Sequence, residues 1–153
     1  MPPELVVLLL GAAPLAEVRG AIPWGVFAGG LSPLAAFFWA VVGNISIYLV
    51  LLLVLSRIGD ALEHRKGPLQ RFSLWWFSRM RRHYRHRFHK WEAWALLFFV
   101  AVPLPFTGAW SAAIAAYVFG IAPRKAMVPG SLGILLSGAL VAISTAGIQV
   151  LLF

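Results

Sequence analysis

Three long stretches without a charged residue limit what this chain can fold into. No Asp, Glu, Lys or Arg occurs in residues 20–56, 93–123 or 126–153. Each stretch is longer than the roughly 18 apolar residues that mark a candidate membrane-spanning helix. The chain is 61% hydrophobic with a mean hydropathy of +0.84, whereas soluble domains are about 45–50% apolar. We therefore predict an integral protein of the cytoplasmic membrane, of the all-α class.

The N-terminal segment, MPPELVVLLLGAAPLA, has two interpretations. Its short apolar core, followed by small residues, is typical of a cleaved secretory signal. Such a signal also needs a positively charged start, and this segment has Glu4 and no Lys or Arg. We expect the segment to remain part of the mature protein.

Most of the positive charge lies in one segment between the apolar stretches. Ten of the thirteen Lys and Arg residues fall in residues 57–90, together with Trp75, Trp76, Tyr84 and all four histidines. Mixed aromatic and basic residues are typical of the lipid headgroup region, and basic loops stay in the cytoplasm. We expect a cytoplasmic connector that lies on the membrane and contacts anionic headgroups; a solvated basic loop is the simpler alternative. Nucleic acid is not expected as a partner, because no recognition motif accompanies the charge.

The histidines of this connector do not predict a metal site. His83, His86 and His89 recur every three residues and could share one side of a helix. Arginines crowd the same turns and repel a divalent cation. The chain has no cysteine, which excludes disulfides and thiolate ligands. We expect no metal and no cofactor.

Two parts of the chain are weakly similar to each other. The segment GLSPLAAFFWAVVG aligns without gaps with GIAPRKAMVPGSLG, and shorter matches lie upstream of both. Few identities are involved and chance can produce them, but they occur in the same order. We predict one membrane domain, residues 1–153, divided into repeat 1 (1–56), the connector (57–90) and repeat 2 (91–153). The matched pairs are Gly30 with Gly120, Pro33 with Pro123, Ala36 with Ala126, Gly43 with Gly133, Pro14 with Pro103 and Gly20 with Gly108.

Each repeat contains two short apolar segments and one long one. The short segments have about half of the ~20 residues that a spanning helix needs, and proline and glycine residues separate them. They fit re-entrant helical hairpins, whereas the long segments fit full spans with some tilt. The short segments are residues 5–13, 21–29, 94–102 and 109–119, and the long ones are residues 32–56 and 126–152.

The basic residues favour one topology. If each hairpin returns to its own side, each repeat crosses the membrane once, and residues 57–90 share the cytoplasmic side with Arg124-Lys125. Four full spans would place Arg124-Lys125 outside and leave Glu17 and Arg19 in mid-helix. We therefore predict an inverted repeat of two units, each a re-entrant helical hairpin plus one transmembrane helix, joined by a basic amphipathic connector. Inverted repeats with broken helices are typical of transporters.

Two charged residues lie inside the first apolar region, in the stretch AAPLAEVRGAIPWGV. Glu17 and Arg19 fall at the predicted break of the first hairpin, where Pro14, Gly20 and Pro23 interrupt the helix. An ionised side chain at that depth is tolerated when it is paired or faces a polar cavity. We predict that both residues bind substrate or ions, with Glu17 pairing with Arg19 or carrying a proton. A purely structural pair that staples the hairpin is the alternative.

The second hairpin is predicted to break at PLPFTGAWSAA. The prolines of this stretch end the preceding helix, and Thr107 is a predicted N-cap of the helix that runs through Trp110. Two helix N-termini with unpaired N–H groups then point toward the middle of the protein. With Arg19 beside them, they predict an anion-binding site. Asn44, in the first long segment, is more typical of an interhelical hydrogen bond than of a binding site.

Two motifs of the chain resemble the paired signatures of the small multidrug export protein family, which is similar in architecture to DedA-type membrane proteins. They are PLAEVRGAIPWGV, with Gly43-Asn44 after it, and PLPFTGAWSAAIAAYVFGI. The resemblance covers nearly the whole chain outside the connector and implies two facing re-entrant hairpins with two flanking spans. Phe106 departs from the family pattern, which usually has Gly there, so this tip is expected to be stiffer or more lipophilic. The candidate binding residues are Glu17, Arg19, Gly20, Pro23, Pro103, Pro105, Thr107, Gly108 and Trp110.

The predicted function is that of a transporter or flippase-like carrier for an amphipathic, phosphate-bearing lipid, coupled to an ion or a proton through Glu17. The resemblance to DedA-type proteins implies transbilayer movement of lipid phosphates, which an anion site suits better than cationic drugs. Export of cationic or lipophilic drugs and a non-transporting scaffold or assembly factor are the alternatives. An enzyme is not expected, since the only Asp is Asp60 and every His lies in the connector. The predicted helices of one chain are too few to enclose a transport path easily. We therefore expect a homodimer or a larger homo-oligomer.

Overall fold

The computed structural model describes residues 1–63, 75, 92–103 and 107–152, and the regular secondary structure in these ranges is helical. Most of the predicted connector therefore lies outside the described residues, as do Pro105 and Phe106. The helices are α1 (Pro3–Ala12), α2 (Glu17–Phe27), α3 (Pro33–Glu63), α4 (Glu92–Ala101), α5 (Ala109–Val118) and α6 (Pro123–Leu152).

Two helices are long and apolar enough to cross a membrane. They are Pro33–Ile58 within α3, with a mean hydropathy of 2.4, and Pro123–Leu152, which is α6, with 2.0. Only 33% and 22% of these apolar windows are buried inside the protein. Exposed apolar side chains lie on both helices, among them Leu34 and Ile143, where lipid suits them and water does not. The chain is a membrane protein. The helix α3 ends at Glu63, beyond the end predicted near Ser56.

The other four helices are too short to cross a bilayer alone. Each is about 15 Å long at a rise of about 1.5 Å per residue, half of a hydrocarbon core of about 30 Å. α1 packs against α2 and α3, and α4 packs against α6. α5 also packs against α3, and α2 packs against α6. The two halves of the chain are therefore interleaved.

α2 begins earlier than the sequence pattern predicts. The pattern predicts a helix over residues 21–29 with breaks at Gly20 and Pro23, but α2 starts at Glu17 and continues through both residues. Gly20 donates its N–H to a carbonyl one turn earlier, at 2.7 Å. Pro23 has no N–H to donate, which leaves the carbonyl of Arg19 without its usual helical donor. The prediction of breaks at these two residues is wrong, because the tertiary packing of α2 outweighs local helix propensity.

The turns before the two long helices have the same backbone conformation. Gly30 has a φ of 66° and Gly120 a φ of 70°, a region that glycine adopts without steric cost. Pro33 and Pro123 then occupy the first positions of α3 and α6, where a missing N–H costs nothing. The residues that align between the two halves of the sequence thus have the same structural roles at these turns.

A buried tyrosine links the two long helices. Tyr48 of α3 is fully buried and donates its hydroxyl to the carbonyl oxygen of Ala126 in α6 at 2.8 Å. Gly130 of α6 makes room for the ring, since a Cβ at that position would overlap the tyrosine hydroxyl. This contact fixes the level at which α3 and α6 meet.

Candidate functional site

The turn after α1 places Glu17 at the first residue of α2. Ala16 is the N-cap residue of α2, and Glu17 donates its N–H to the carbonyl of Ala13 at 3.1 Å. Glu17 has a φ of 47°, and a non-glycine residue in this region is strained by about 1–3 kcal/mol. Strain of this kind concentrates at functional sites, so it marks Glu17 as a candidate.

The carboxylate of Glu17 lies on the N-terminus of α5, in the other half of the chain. It accepts hydrogen bonds from the backbone N–H groups of Trp110 and Ala109. The residue is only 7% exposed. These N–H groups have no partner within their own helix, and the helix dipole adds a partial positive charge of about 0.5 at this end. The N-termini of α2 and α5 therefore meet, as the sequence predicts, and a carboxylate of the chain lies between them.

Gly108, and not Thr107, is the N-cap residue of α5. The predicted capping role of Thr107 is therefore wrong, because the N–H groups of the first turn bond to Glu17 instead. A Cβ on Gly108 would overlap both oxygens of the Glu17 carboxylate. Gly108 has an extended backbone with a φ of −152°, which any residue can adopt. Its small size, and not its conformational freedom, is what the site requires.

Arg19 reaches from α2 to the other side of the same cluster. Its Nη2 donates to the carbonyl oxygen of Thr107 and, at 3.3 Å, to the hydroxyl of that residue. Nη2 lies 3.8 Å from an oxygen of Glu17, which is an ion pair without a hydrogen bond. The Nε of Arg19 is buried and has no hydrogen-bond partner among the described residues. Arg19 therefore contacts the second half of the chain as well as Glu17.

The hydroxyl of Thr107 connects three elements. It donates to the carbonyl oxygen of Val102, just after α4, at 2.7 Å. Its oxygen also accepts the bond from Arg19. Thr107 is thus a positioning residue that fixes the break between α4 and α5 and the direction of the guanidinium.

Trp110 makes the reciprocal contact to the first half of the chain. Its Nε1 donates to the carbonyl oxygen of Ala12, the last residue of α1, at 3.1 Å. That carbonyl belongs to the last turn of a helix, where no intrahelical donor is available. The end of α1 is thus capped by Trp110 of α5, and the start of α5 is capped by Glu17 of α2. Each helix break is therefore stabilised by a residue from the other half of the chain.

The other predicted site residues have no polar side chain to contribute to this cluster. Gly20 and Pro23 lie inside α2, and Pro103 is exposed just after α4. Pro105 lies outside the described residues. The structure therefore brings together the polar groups of Glu17, Arg19, Thr107 and Trp110 with Gly108.

Sequence reasoning missed two kinds of contact. The first is made by backbone groups, at Ala12, Ala109 and Val102, which no side-chain pattern reveals. The second is Ser111, whose hydroxyl accepts the N–H of Gly108 at 2.9 Å; a serine three residues after a glycine N-cap is a signal that could have been found. The amide oxygen of Asn44 has no hydrogen-bond partner among the described residues, so this atom does not make the interhelical bond predicted for the residue.

A metal site is not formed by the described part of the chain. Within it, no group of three or more His, Cys, Asp or Glu side chains is close enough to hold an ion. The connector histidines, His83, His86 and His89, lie outside the described residues.

Comparison with known sequence families matches residues 17–140 to the family described as "Putative small multi-drug export protein". The match covers most of the chain. It includes the residues that meet at the helix breaks, called the Glu17 cluster below: Glu17, Arg19, Thr107, Gly108 and Trp110. The chain belongs to this family. No curated protein and no solved structure matches it significantly. The family is one of transporter-like membrane proteins, which agrees with the resemblance of the two sequence motifs and with the outward-facing apolar helices.

The groups of this cluster suit a charged ligand. It holds one anionic side chain, one cationic side chain and the N-terminus of α5. When the Glu17 carboxylate does not occupy the site, the remaining groups favour another anion. No nucleophile with an adjacent base is present among these side chains.

The role of Thr107 can be separated with two substitutions. We expect Thr107→Ser to keep stability and transport, because the hydroxyl remains. Thr107→Val removes the bond to Val102 and one acceptor of Arg19, which should lower stability by about 0.5–1.5 kcal/mol and impair transport more than that loss explains. Thermal unfolding in detergent and flux from vesicles, measured on the same preparations, test this. Equal stability and flux for the two variants would contradict the positioning role.

Proposed function

We propose that this protein transports an amphipathic lipid with an anionic phosphate headgroup, and that the headgroup binds at the N-terminus of α5 beside Arg19. The observation that carries the proposal is the position of the Glu17 carboxylate, which accepts hydrogen bonds from the backbone N–H groups of Ala109 and Trp110. Carboxylate and phosphate oxygens are both anionic acceptors and suit the same donors. The site is built for an anion, and the chain's own anion occupies it.

In this proposal, the substrate and Glu17 alternate at the same N–H groups. A proton on Glu17 removes its charge and weakens its attraction to the α5 N-terminus and to Arg19. The phosphate headgroup then takes the released N–H groups and the guanidinium, whose buried Nε has no other partner among the described residues. Loss of the proton returns the carboxylate and expels the headgroup. Each headgroup is thus accompanied by one proton.

The packing of the glycines supports an inverted repeat with two re-entrant hairpins. A Cβ at Gly43 of α3 would overlap the carbonyl oxygen of Leu8 in α1. At the aligned Gly133 of α6, a Cβ would lie 2.9 Å from the carbonyl oxygen of Leu97 in α4. Each long helix therefore packs against the first short helix of its own repeat, and the contact lies at the aligned glycine, Gly43 or Gly133. Hairpin N-termini that meet between two such repeats are a transporter arrangement.

Export of a lipophilic cation is the second candidate function. It is favoured by the family description, which names multi-drug export, and by the buried carboxylate of Glu17, a group that binds cations inside membranes. A cation would have to displace Arg19 and approach the positive end of α5. The hydrogen bonds from α5 to Glu17 therefore favour an anionic substrate over a cationic one.

The surroundings of the site lead to three further parts of the proposal. The connector, residues 57–90, lies on the cytoplasmic surface and contacts anionic lipid headgroups through its basic residues. The chain acts as a homodimer or a larger homo-oligomer, since α3 and α6 expose large apolar side chains such as Leu34 and Ile143. It performs no enzymatic reaction.

The proposed topology gives a direct labelling prediction. Pro2→Cys, Ser73→Cys and Leu152→Cys can be introduced singly, because the chain has no other thiol. In intact cells, an impermeant maleimide should label positions 2 and 152, and position 73 only after permeabilisation. The one-sided distribution of Lys and Arg is the physical reason. Labelling of all three positions from one side would contradict the inverted repeat.

The substrate class can be tested by flux in vesicles. Purified protein is reconstituted with three fluorescent probes: a short-chain isoprenoid phosphate, the corresponding isoprenoid alcohol, and a lipophilic cation. We expect the phosphate to move, the alcohol to remain and the cation to remain, because the alcohol shares the tail of the phosphate but lacks its charge. Movement of the cation alone would favour drug export. Movement of none, with correctly inserted protein, would favour a scaffold.

A further inference from the structure

Asn44 is a buried polar side chain whose amide oxygen is unpaired among the described residues. It is 1% exposed. Buried polar groups in proteins are nearly always paired, since an unpaired group loses its hydration without compensation. In a membrane-spanning helix, such a group marks a functional site by default unless it bonds to a neighbouring helix. The interhelical bond that would explain Asn44 is absent for its oxygen.

The position of Asn44 along α3 matches the level of the Glu17 cluster. The preceding residue, Gly43, packs on the end of α1: a Cβ there would lie 3.3 Å from the backbone nitrogen of Ala12. The carbonyl of the same Ala12 accepts the bond from Trp110, at the start of α5. One residue along a helix is a rise of about 1.5 Å. Asn44 therefore lies at the depth where the two helix breaks meet.

The neighbours of Asn44 on its helix face place it inside the protein and not against lipid. Ala40 and Tyr48, one turn to either side, are both fully buried. Ala40 packs against Gly11 of α1, and Tyr48 packs against Gly130 of α6. Asn44 therefore lies on the stripe of α3 that faces α1 at one end and α6 at the other.

The second repeat shows what this position holds when no polar group is needed. The gapless alignment that pairs Gly43 with Gly133 pairs Asn44 with Ile134. Ile134 is also almost fully buried, at 1% exposed. The packing at this level of a long helix is thus compatible with an aliphatic side chain, and the amide in α3 is not required to fill space.

We infer that Asn44 contacts the polar headgroup of the transported substrate and supplies an uncharged hydrogen-bonding group beside the charges of Glu17 and Arg19. This inference rests on the proposed function. An amide both donates and accepts, so it suits a phosphate that carries a hydroxyl or ester oxygen. Asn44 then discriminates between headgroups, while Arg19 and the α5 N-terminus bind the charge.

The test compares Asn44→Leu with Ile134→Leu as the matched control in the aligned position. Flux of the isoprenoid phosphate and thermal unfolding are measured on each reconstituted protein. We expect Asn44→Leu to unfold no earlier than wild type, because an unpaired polar group is removed, and to need at least about tenfold more substrate for half-maximal flux, the loss expected for a hydrogen bond to a charged group. Ile134→Leu should transport like wild type.

The outcomes separate this inference from the proposed function. Wild-type flux of the phosphate together with unchanged flux in Asn44→Leu would overturn the role of Asn44 and leave the proposed function standing. Absence of phosphate flux in wild type would overturn both. If Asn44→Leu does not insert, Asn44→Ala is measured in its place, with the same expected and contradicting results.

Discussion

Gly108→Ala is expected to abolish transport and to destabilise the protein. The added Cβ would overlap both carboxylate oxygens of Glu17, so the carboxylate must leave the N–H groups of Ala109 and Trp110. The cost is about 1–3 kcal/mol for forcing a group into packed space, together with the loss of the cap on α5. Thermal unfolding and isoprenoid phosphate flux, measured on the same reconstituted protein, test both effects.

The matched control is Gly147→Ala, also in the described part of the chain. A Cβ at Gly147 has no atom within 4 Å, and alanine favours a helix over glycine by about 1 kcal/mol. This variant should be at least as stable as wild type and should transport normally. Shortening the carboxylate with Glu17→Asp in the Gly108→Ala background should recover part of the stability. A Gly108→Ala protein with wild-type unfolding and flux would show that the carboxylate does not occupy this position.

Glu17→Gln is expected to stop net transport while leaving substrate binding intact. The amide keeps the shape of the side chain but carries no charge, so it competes poorly with a phosphate for the N-terminus of α5. The phosphate should therefore bind the variant with only the pH dependence of its own second ionisation, at a pKa of about 6, whereas binding to wild type should in addition strengthen as Glu17 takes up its proton at lower pH. Flux should fall by at least about tenfold, because the group that expels the headgroup has lost its charge.

Binding of the isoprenoid phosphate to detergent-solubilised protein at several pH values measures this effect. The isoprenoid alcohol serves as the control ligand, since it has the same tail and no charge to compete with Glu17. Parallel pH dependence in wild type and Glu17→Gln would exclude Glu17 as the titrating group, and undiminished flux in the variant would exclude it from the transport cycle.

The helices could be predicted from sequence because their cause is local. Charge-free stretches and the spacing of proline and glycine are visible in any window of the chain, and the long helices α3 and α6 follow from them. The short helices also follow, although α2 starts a turn early. Pro23 has a strong local preference against a helix interior, and only the packing of α2 against its neighbours, which no window contains, overrides it.

The composition of the site was partly visible, whereas its pairing was not. Glu17 and Arg19 stand out in an apolar stretch, and the breaks indicate that helix N-termini meet near them. The sequence predicts Thr107 as the cap of α5, because serine and threonine are common local caps. In the structure a carboxylate from the other half of the chain takes that role, and the related contact of Arg19 with Thr107 spans 88 residues. No sequence window includes both partners. Only the tertiary structure therefore reveals that Glu17 caps α5 and that Trp110 of α5 caps the end of α1.

The central claim is that an anionic headgroup binds beside Arg19. The most direct test is equilibrium binding of the isoprenoid phosphate and of the lipophilic cation to wild type and to Arg19→Gln, with Arg124→Gln, an exposed residue of the first turn of α6, as a control for the loss of one positive charge elsewhere. We predict that Arg19→Gln weakens phosphate binding by at least about tenfold, the loss of a charged hydrogen bond, and that Arg124→Gln leaves it unchanged. Phosphate binding that survives in Arg19→Gln, or cation binding that improves in it, would contradict the account.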